Sequence, residues 1–128
     1  MKKVISTLKA PQAIGPYSQA LRAGDFLFIS GQLPVDPATG NNVEDDIEKQ
    51  THRVFKNINA ILEAANLDFS DIVKTQVFLS DMKFFPQVNN IYSSYINGRI
   101  LPARAAMQVA CLPKNALIEI EAVAYYKK

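Results

Sequence analysis

Residues 46–66 read DIEKQTHRVFKNINAILEAAN, and their apolar side chains recur at intervals of three and four. That spacing is the period of an α-helix with one buried face. Asp45 or Asp46 can cap its N-terminus, and Asn66 can end it. The sequence therefore predicts one long amphipathic helix, whose apolar side needs another layer of structure to cover it.

The segments before this helix have strand composition or turn residues. Residues 4–7, 18–22 and 26–31 are predicted strands, and the last two form a hairpin around Gly24. Residues 10–17 are predicted to be a loop, since they contain two prolines and a glycine. Residues 32–43 contain Pro34, Pro37 and Gly40, and for that reason they are predicted to be a connection without regular structure.

The segments after the helix alternate again between strands and a helix. Residues 72–79 are a predicted strand with Val73, Thr75, Val77 and Leu79 on one face. Residues 85–97 are a predicted second helix, in which Pro86 occupies the first turn. Residues 105–111 and 117–125 are the last two predicted strands.

This order of strands, helix, strand, helix and strands predicts an α+β fold. Its sheet should be mostly antiparallel, with two helices on one face. We expect a single domain over residues 1–128, a length that buries an adequate core. Residues 117–125 carry apolar or small side chains on both faces, so the open face of the sheet should be covered by other subunits. The sequence therefore predicts a homo-oligomer.

Composition disfavours two classes of partner. The formal net charge is +2, and no run of basic residues is longer than two, whereas nucleic-acid binders usually cluster their basic residues. The N-terminus has no apolar stretch typical of a signal peptide, and no segment approaches membrane-spanning length. We therefore expect a cytoplasmic protein without a membrane or nucleic-acid partner.

Several kinds of catalytic chemistry lack the necessary residues. The only histidine, His52, falls within the helical pattern and is predicted to be a solvated helix residue. The only cysteine, Cys111, is predicted to be a packed small residue at a strand end rather than a catalytic thiolate. We expect no metal site. Neither a dinucleotide-binding glycine motif nor a P-loop is present, so no cofactor is expected.

The candidate site residues lie near the two ends of the chain. Arg104 follows Pro102 and could bind a carboxylate or phosphate in bidentate fashion, or it could form a surface salt bridge. Glu119 and Glu121 project from one face of a strand, either as functional carboxylates or as a charged edge. Tyr17 could point its phenol at a ligand or cover the hairpin.

Ser30 and Gly31 form a further candidate element. Gly31 would let a ligand approach the backbone closely, because it has no side chain.

Four segments together resemble the RidA (YjgF) family of reactive-intermediate deaminases. They are AIGPYSQ (13–19), ISGQLP (29–34), VKTQVF (73–78), and PAR (102–104) followed by IEIEA (118–122). The resemblance covers nearly the whole chain, and its C-terminal pattern is highly specific to that family.

The resemblance implies a chorismate-mutase-like α+β fold in a homotrimeric, barrel-like assembly with active sites between subunits. It implies an enzyme that hydrolyses 2-imino acids such as 2-iminobutanoate and 2-iminopropanoate, or their enamine tautomers, to 2-keto acids and ammonia. These imines are released by pyridoxal-phosphate enzymes. No cofactor is implied, and the partners are a small carboxylate-bearing imine and other copies of the chain.

The resemblance also implies roles for individual residues. Arg104 would bind the substrate carboxylate, and Glu119 would position or activate the attacking water. Four further residues would line the same cleft: Tyr17, Ser30, Gly31 and Asn89. Ala106 would contribute its main-chain carbonyl, while Glu121 would be structural.

The chain departs from the family pattern in two ways. Many members have a cysteine at the position of Ala106, and a basic residue is common at the position of Cys111. The stretch between Asn89 and Arg104 is shorter than in some relatives, which leaves room for a different side-chain preference.

Rival functions remain open at this stage. A metabolite-binding regulatory protein without turnover would also use Arg104 and Tyr17, but a carboxylate at Glu119 would weaken its binding of an acid. An RNA-directed translation modulator is disfavoured by the dispersed basic charge. Chorismate mutase itself rests on fold analogy and lacks the cationic groups that a dicarboxylate demands.

Overall fold

The computed structural model of the protein describes residues 1–126, which form one main sheet with both helices on a single face. The strands are β1 (Lys2–Ile5), β2 (Ala20–Ala23), β3 (Phe26–Gln32), β4 (Val35–Asp36), β5 (Asn41–Asn42), β6 (Ile72–Leu79), β7 (Ala103–Gln108) and β8 (Ile118–Tyr125). The helices are α1 (Ile47–Ala64) and α2 (Phe85–Tyr95), and short 3₁₀ turns cover Phe69–Asp71, Met82–Phe84 and Pro113–Asn115.

The sheet confirms the predicted α+β class. Its six strands are ordered β1-β2-β3-β8-β6-β7, while β4 and β5 form a separate two-stranded ribbon. Every neighbouring pair is antiparallel except β6 and β7, which are parallel. A parallel pair needs a long crossover between its strands, and α2 supplies it.

Helix α1 covers the stretch that the apolar period predicts. The Asp46 side chain accepts a hydrogen bond from the Lys49 amide at 3.0 Å, which caps the N-terminus. Just past the C-terminus, Asn66 adopts a φ of 61°, a left-handed conformation that asparagine tolerates well. The apolar face of α1 packs on the sheet and is fully buried at Val54, Phe55 and Ile61.

Four details of the sequence prediction are wrong. Residues 32–43 are not wholly irregular, because they contain the β4–β5 ribbon. Strand β1 covers residues 2–5 instead of 4–7, and β7 begins at Ala103 and ends at Gln108. In β6, Ile72 is buried and Val73 is exposed, the reverse of the predicted alternation. A register shift against β8 between Ile72 and Lys74 causes this reversal.

The two faces of the sheet differ in what covers them. On β8, Ile118 and Ile120 point to the helices and are fully buried, while Glu119 and Glu121 point to the open face and are only partly buried. Phe28 pairs with Val123 and lies on the same open face, with 48% of its surface exposed. This face therefore carries large apolar side chains without a covering layer in one chain.

Within residues 1–126, neither helix combines the length and the apolar composition needed to cross a membrane.

Candidate functional site

Arg104 lies on edge strand β7 and points toward the helices. It is in register with Thr75 of β6, whose side chain is buried under the helical layer. The Arg104 Nη1 donates a hydrogen bond of 2.7 Å to Oδ1 of Asn89 on α2. The structure thus brings together two of the predicted site residues, which are 15 positions apart in the chain.

Two aromatic rings of α2 also orient the guanidinium of Arg104. Its Cζ lies 4.7 Å from the ring centroid of Tyr92 and 5.2 Å from that of Phe85. The Tyr92 hydroxyl is in turn 2.7 Å from Thr75 Oγ1, which fixes the ring. No pattern in the sequence indicates that these rings are partners of the arginine, because the contact depends on how α2 packs against β7.

Arg104 has no carboxylate partner among residues 1–126, where the ion pairs are Lys49–Glu44 and Lys83–Asp81. The salt-bridge alternative is therefore wrong for this part of the chain. An exposed guanidinium held by one amide and two rings retains unused N–H donors, which suit a carboxylate ligand.

Ala106 lies two residues further along β7, in register with Val77 and partly buried against the core. Its side chain lies on the same face as Arg104, because alternate residues of a strand share a face. We call Arg104, Asn89 and Ala106 the arginine half-site.

Glu119 lies on the open face of β8, in register with Phe78 of β6. Its carboxylate rests directly on Gly31 of β3, since Oε2 occupies the space that a Cβ on residue 31 would need. The sequence predicted that Gly31 would allow a close approach to its backbone, and the group that approaches is the chain's own glutamate.

A β-bulge places Gly31 under this carboxylate. Ile29 pairs with Ala122 and Gln32 pairs with Ile120, so three steps along β3 are matched by two along β8. Ser30 is fixed within the bulge by two hydrogen bonds. Its Oγ donates to the Ser18 carbonyl at 2.6 Å, and its amide donates to the Gln19 carbonyl at 3.0 Å.

The environment of Glu119 makes it a stronger base than an ordinary glutamate. Burial raises the pKa of Glu119, and the neighbouring Glu121 carboxylate on the same face raises it further. A raised pKa brings a carboxylate closer to the range in which general bases work at neutral pH.

Tyr17 lies on the loop before β2. Its amide donates to the Gly15 carbonyl at 2.9 Å, and 55% of the residue is exposed, which leaves it accessible to a ligand. Tyr17 and Gly31 line one cavity of about 360 Å³, with apolar walls that include Ile14 and Leu33. We call Tyr17, Ser30, Gly31 and Glu119 the glutamate half-site.

The two half-sites lie on opposite faces of the same sheet. Arg104 pairs with Thr75, whose side chain lies on the helix side of the sheet. Glu119 pairs with Phe78, which in turn pairs with Met107, and these side chains lie on the open side. Paired residues of neighbouring strands share a face, so one chain cannot direct Arg104 and Glu119 at the same small ligand.

The single histidine and the single cysteine lie outside both half-sites. His52 is exposed on α1, as predicted, with Nδ1 2.7 Å from the Tyr95 hydroxyl. Cys111 is exposed in the segment after β7, so the prediction of a packed residue is wrong; β7 ends three residues before it. Among the described residues, no three potential ligands cluster as a metal site would require.

Gly31→Ala is expected to force the Glu119 carboxylate off the bulge. The methyl group would overlap the glutamate, and overpacking of this kind costs roughly 1–3 kcal/mol of unfolding free energy. The displaced carboxylate gains solvent, so the pKa of Glu119 should fall toward its ordinary value. Carbon-13 NMR titration of the glutamate carboxyls measures this pKa.

Gly98→Ala is the matched control for that substitution. A Cβ at residue 98 would meet its nearest atoms at 3.9 Å, an ordinary contact, so the pKa of Glu119 should not move. An unchanged pKa of Glu119 in Gly31→Ala would contradict the seating of this carboxylate on Gly31.

The chain is similar to many known proteins. Residues 7–126 match the family model described as endoribonuclease L-PSP. A RutC family protein of Pyrococcus horikoshii is 54% identical over 98% of this chain and 98% of its own. The mouse 2-iminobutanoate/2-iminopropanoate deaminase is 50% identical over 97% of this chain and 91% of its own. A crystal structure of a Rid-family protein from Yersinia pestis superimposes with a TM-score of 0.95 at 50% identity, covering 98% of this chain and 99% of that one.

Proposed function

This chain belongs to the endoribonuclease L-PSP family, the family of the RidA deaminases, and we propose that it is a hydrolytic deaminase of 2-imino acids. The substrates are 2-iminobutanoate and 2-iminopropanoate or their enamine tautomers, and the products are the 2-keto acids and ammonia. The observation that carries the proposal is the pair of half-sites. One presents an oriented arginine with no acid partner in residues 1–126, and the other presents a carboxylate with a raised pKa.

Arg104 is suited to hold the substrate carboxylate. Its Nη1 is occupied by Asn89, and its stacking on the rings of Tyr92 and Phe85 restricts the guanidinium plane. The remaining donors of the fork can bind two carboxylate oxygens at once. This contact would fix the adjacent imine carbon and thereby contribute the proximity and orientation term of catalysis.

Glu119 is suited to activate the water. A protonated imine is already electrophilic, so its hydrolysis requires a positioned water and a base. As the water oxygen bonds to the imine carbon, the C=N electron pair moves to nitrogen and Glu119 takes a proton from the water. That proton then passes to nitrogen, and as the C–N bond breaks and ammonia leaves, the new hydroxyl forms the keto C=O and gives up its own proton to Glu119 or to the departing ammonia. Acid–base assistance of this type contributes typically about 100- to 10,000-fold.

Two chains are needed to complete such a site. We place the arginine half-site of one subunit against the glutamate half-site of the next in a homotrimer, so that each of three interfaces forms one cleft. The open face of the sheet, with Phe28 and other exposed apolar side chains, would then be covered by neighbouring subunits. The proposal also places the protein in the cytoplasm, together with the enzymes that release such imines.

The direct test is the rate of 2-ketobutanoate release from 2-iminobutanoate, generated in place by a threonine dehydratase. The protein is expected to accelerate this step above the rate in buffer, in proportion to its concentration. A heat-denatured sample and an unrelated protein of equal concentration are the controls.

The metabolite-binding alternative predicts a different result in the same assay. Correctly folded protein would bind 2-ketobutanoate in a calorimetric titration but leave the hydrolysis rate unchanged. That outcome would contradict the deaminase proposal, and the role of Glu119 as a base would fall with it.

A further inference from the structure

Gln32, the last residue of β3, is a buried amide that neither half-site includes. Only 5% of its surface is exposed. Its Nε2 donates a hydrogen bond of 3.1 Å to the Ser30 carbonyl, while its Oε1 is buried and without a hydrogen-bond partner among residues 1–126. Gln32 also lines the 360 Å³ cavity that Tyr17 and Gly31 share.

The unpaired oxygen indicates what the side chain does. Exchanging the amide oxygen and nitrogen would set two acceptors against each other at Ser30, so the donated bond fixes the orientation. An apolar side chain of similar length would fill the same space without leaving a buried acceptor unpaired. Packing alone therefore does not account for an amide here, whereas a need for its N–H does.

The acceptor of that N–H belongs to the bulge beneath Glu119. Ser30 and Gly31 interrupt the β3–β8 ladder, and the Gln32 amide supplies a donor to the Ser30 carbonyl at this interruption. Ser30 is already tied through its hydroxyl to Ser18 and through its own amide to Gln19. The bond from Gln32 adds a restraint to the peptide that joins Ser30 to Gly31, the residue on which the Glu119 carboxylate rests.

We propose that Gln32 is a positioning residue, which holds the Ser30 carbonyl so that Gly31 keeps the place where the Glu119 carboxylate lies. Its effect on rate rests on the proposed deaminase function, but its effect on the position of Glu119 does not. Gln32 touches neither the arginine half-site nor the carboxylate, so it would act only through the bulge.

The test uses Gln32→Met, which keeps the length of the side chain and removes its donor. In the variant, the bulge loosens, and the pKa of Glu119 measured by carbon-13 NMR should fall toward its ordinary value. In the imine assay, kcat should fall by about 10- to 100-fold, the cost of a misplaced catalytic group, with KM nearly unchanged because Arg104 is untouched. A pKa and a kcat equal to those of the wild type would overturn the proposal.

Asn57→Leu is the matched control. Asn57 is also a buried amide, and its Nδ2 donates to the carbonyls of Leu33 and Val35, immediately after the bulge. Losing these bonds should lower the melting temperature and leave both kcat and the pKa of Glu119 unchanged. If Asn57→Leu changes them as much as Gln32→Met does, Gln32 is merely structural and the proposal is wrong.

If Gln32→Met fails to fold, Gln32→Glu tests whether a donor at residue 32 is needed. A protonated carboxyl at this position can still donate to the Ser30 carbonyl, whereas an ionised one cannot. The ratio of variant to wild-type kcat should therefore fall as pH rises, and a ratio independent of pH would overturn the proposal. If the wild type does not hydrolyse imines at all, the deaminase proposal fails, and the pKa of Glu119 in the Gln32 variants still tests the positioning role.

Discussion

Arg104→Ala is expected to abolish acceleration of imine hydrolysis while the chain still folds. Arg104 is exposed, and its contacts to Asn89 and the two α2 rings lie at the rim of the core, so little packing is lost. Two charge-assisted hydrogen bonds to the substrate carboxylate would disappear. At about 1.5–3 kcal/mol each, their loss should lower kcat/KM by roughly 150- to 25,000-fold.

Arg22→Ala is a suitable control for this experiment. Arg22 also stacks on an aromatic ring, with Cζ 3.8 Å from the centroid of Tyr126, and it lies on β2, which three other strands separate from β7. Its loss should leave kcat/KM unchanged. Arg104→Lys should retain only part of the activity, because an ammonium group cannot form the planar two-pronged contact. Wild-type activity in Arg104→Ala would refute the role of Arg104 in binding the carboxylate.

Mixing two inactive variants should restore activity. In the proposed trimer, Arg104→Ala removes every arginine half-site and Glu119→Ala removes every glutamate half-site, so each variant should be inactive alone. In a trimer that contains both kinds of subunit, one interface joins an intact arginine half-site to an intact glutamate half-site. Mixed trimers should therefore show about one third of wild-type activity. Co-expression with two different affinity tags and sequential purification isolates them for the assay.

In the control for this mixing experiment, the Glu119→Ala chain is replaced by a chain that carries both Arg104→Ala and Glu119→Ala. Trimers of Arg104→Ala and the double variant contain no intact arginine half-site, so they should stay inactive. If mass spectrometry confirms mixed trimers of the two single variants and no activity returns, the site is not shared between subunits in the way proposed here.

The position of helix α1 and the alternation of side chains along β8 were predictable because both depend on local patterns. The period of three and four places α1 between residues 47 and 64, with Asp46 as its cap. The alternation along β8 correctly places Glu119 and Glu121 on one face. Such patterns depend only on neighbours within a few residues.

The relation between Arg104 and Glu119 was not predictable in this way. Their faces depend on how β7 and β8 each pair with β6, and register between strands is a property of the folded sheet. One extra residue in a strand reverses the face of everything beyond it, as Ile72 and Val73 show. The role of Gly31 was hidden for a similar reason, because the group that needs its missing side chain is distant in sequence.

Because the two half-sites lie on opposite faces of one sheet, the proposed activity would depend on the assembly of subunits. A newly synthesised monomer would contain every site residue and still be catalytically inactive. Turnover would begin only when chains meet, so at low abundance the rate would climb more steeply than the amount of protein. A molecule that dissociates the subunits would then inhibit the enzyme without binding in the cleft.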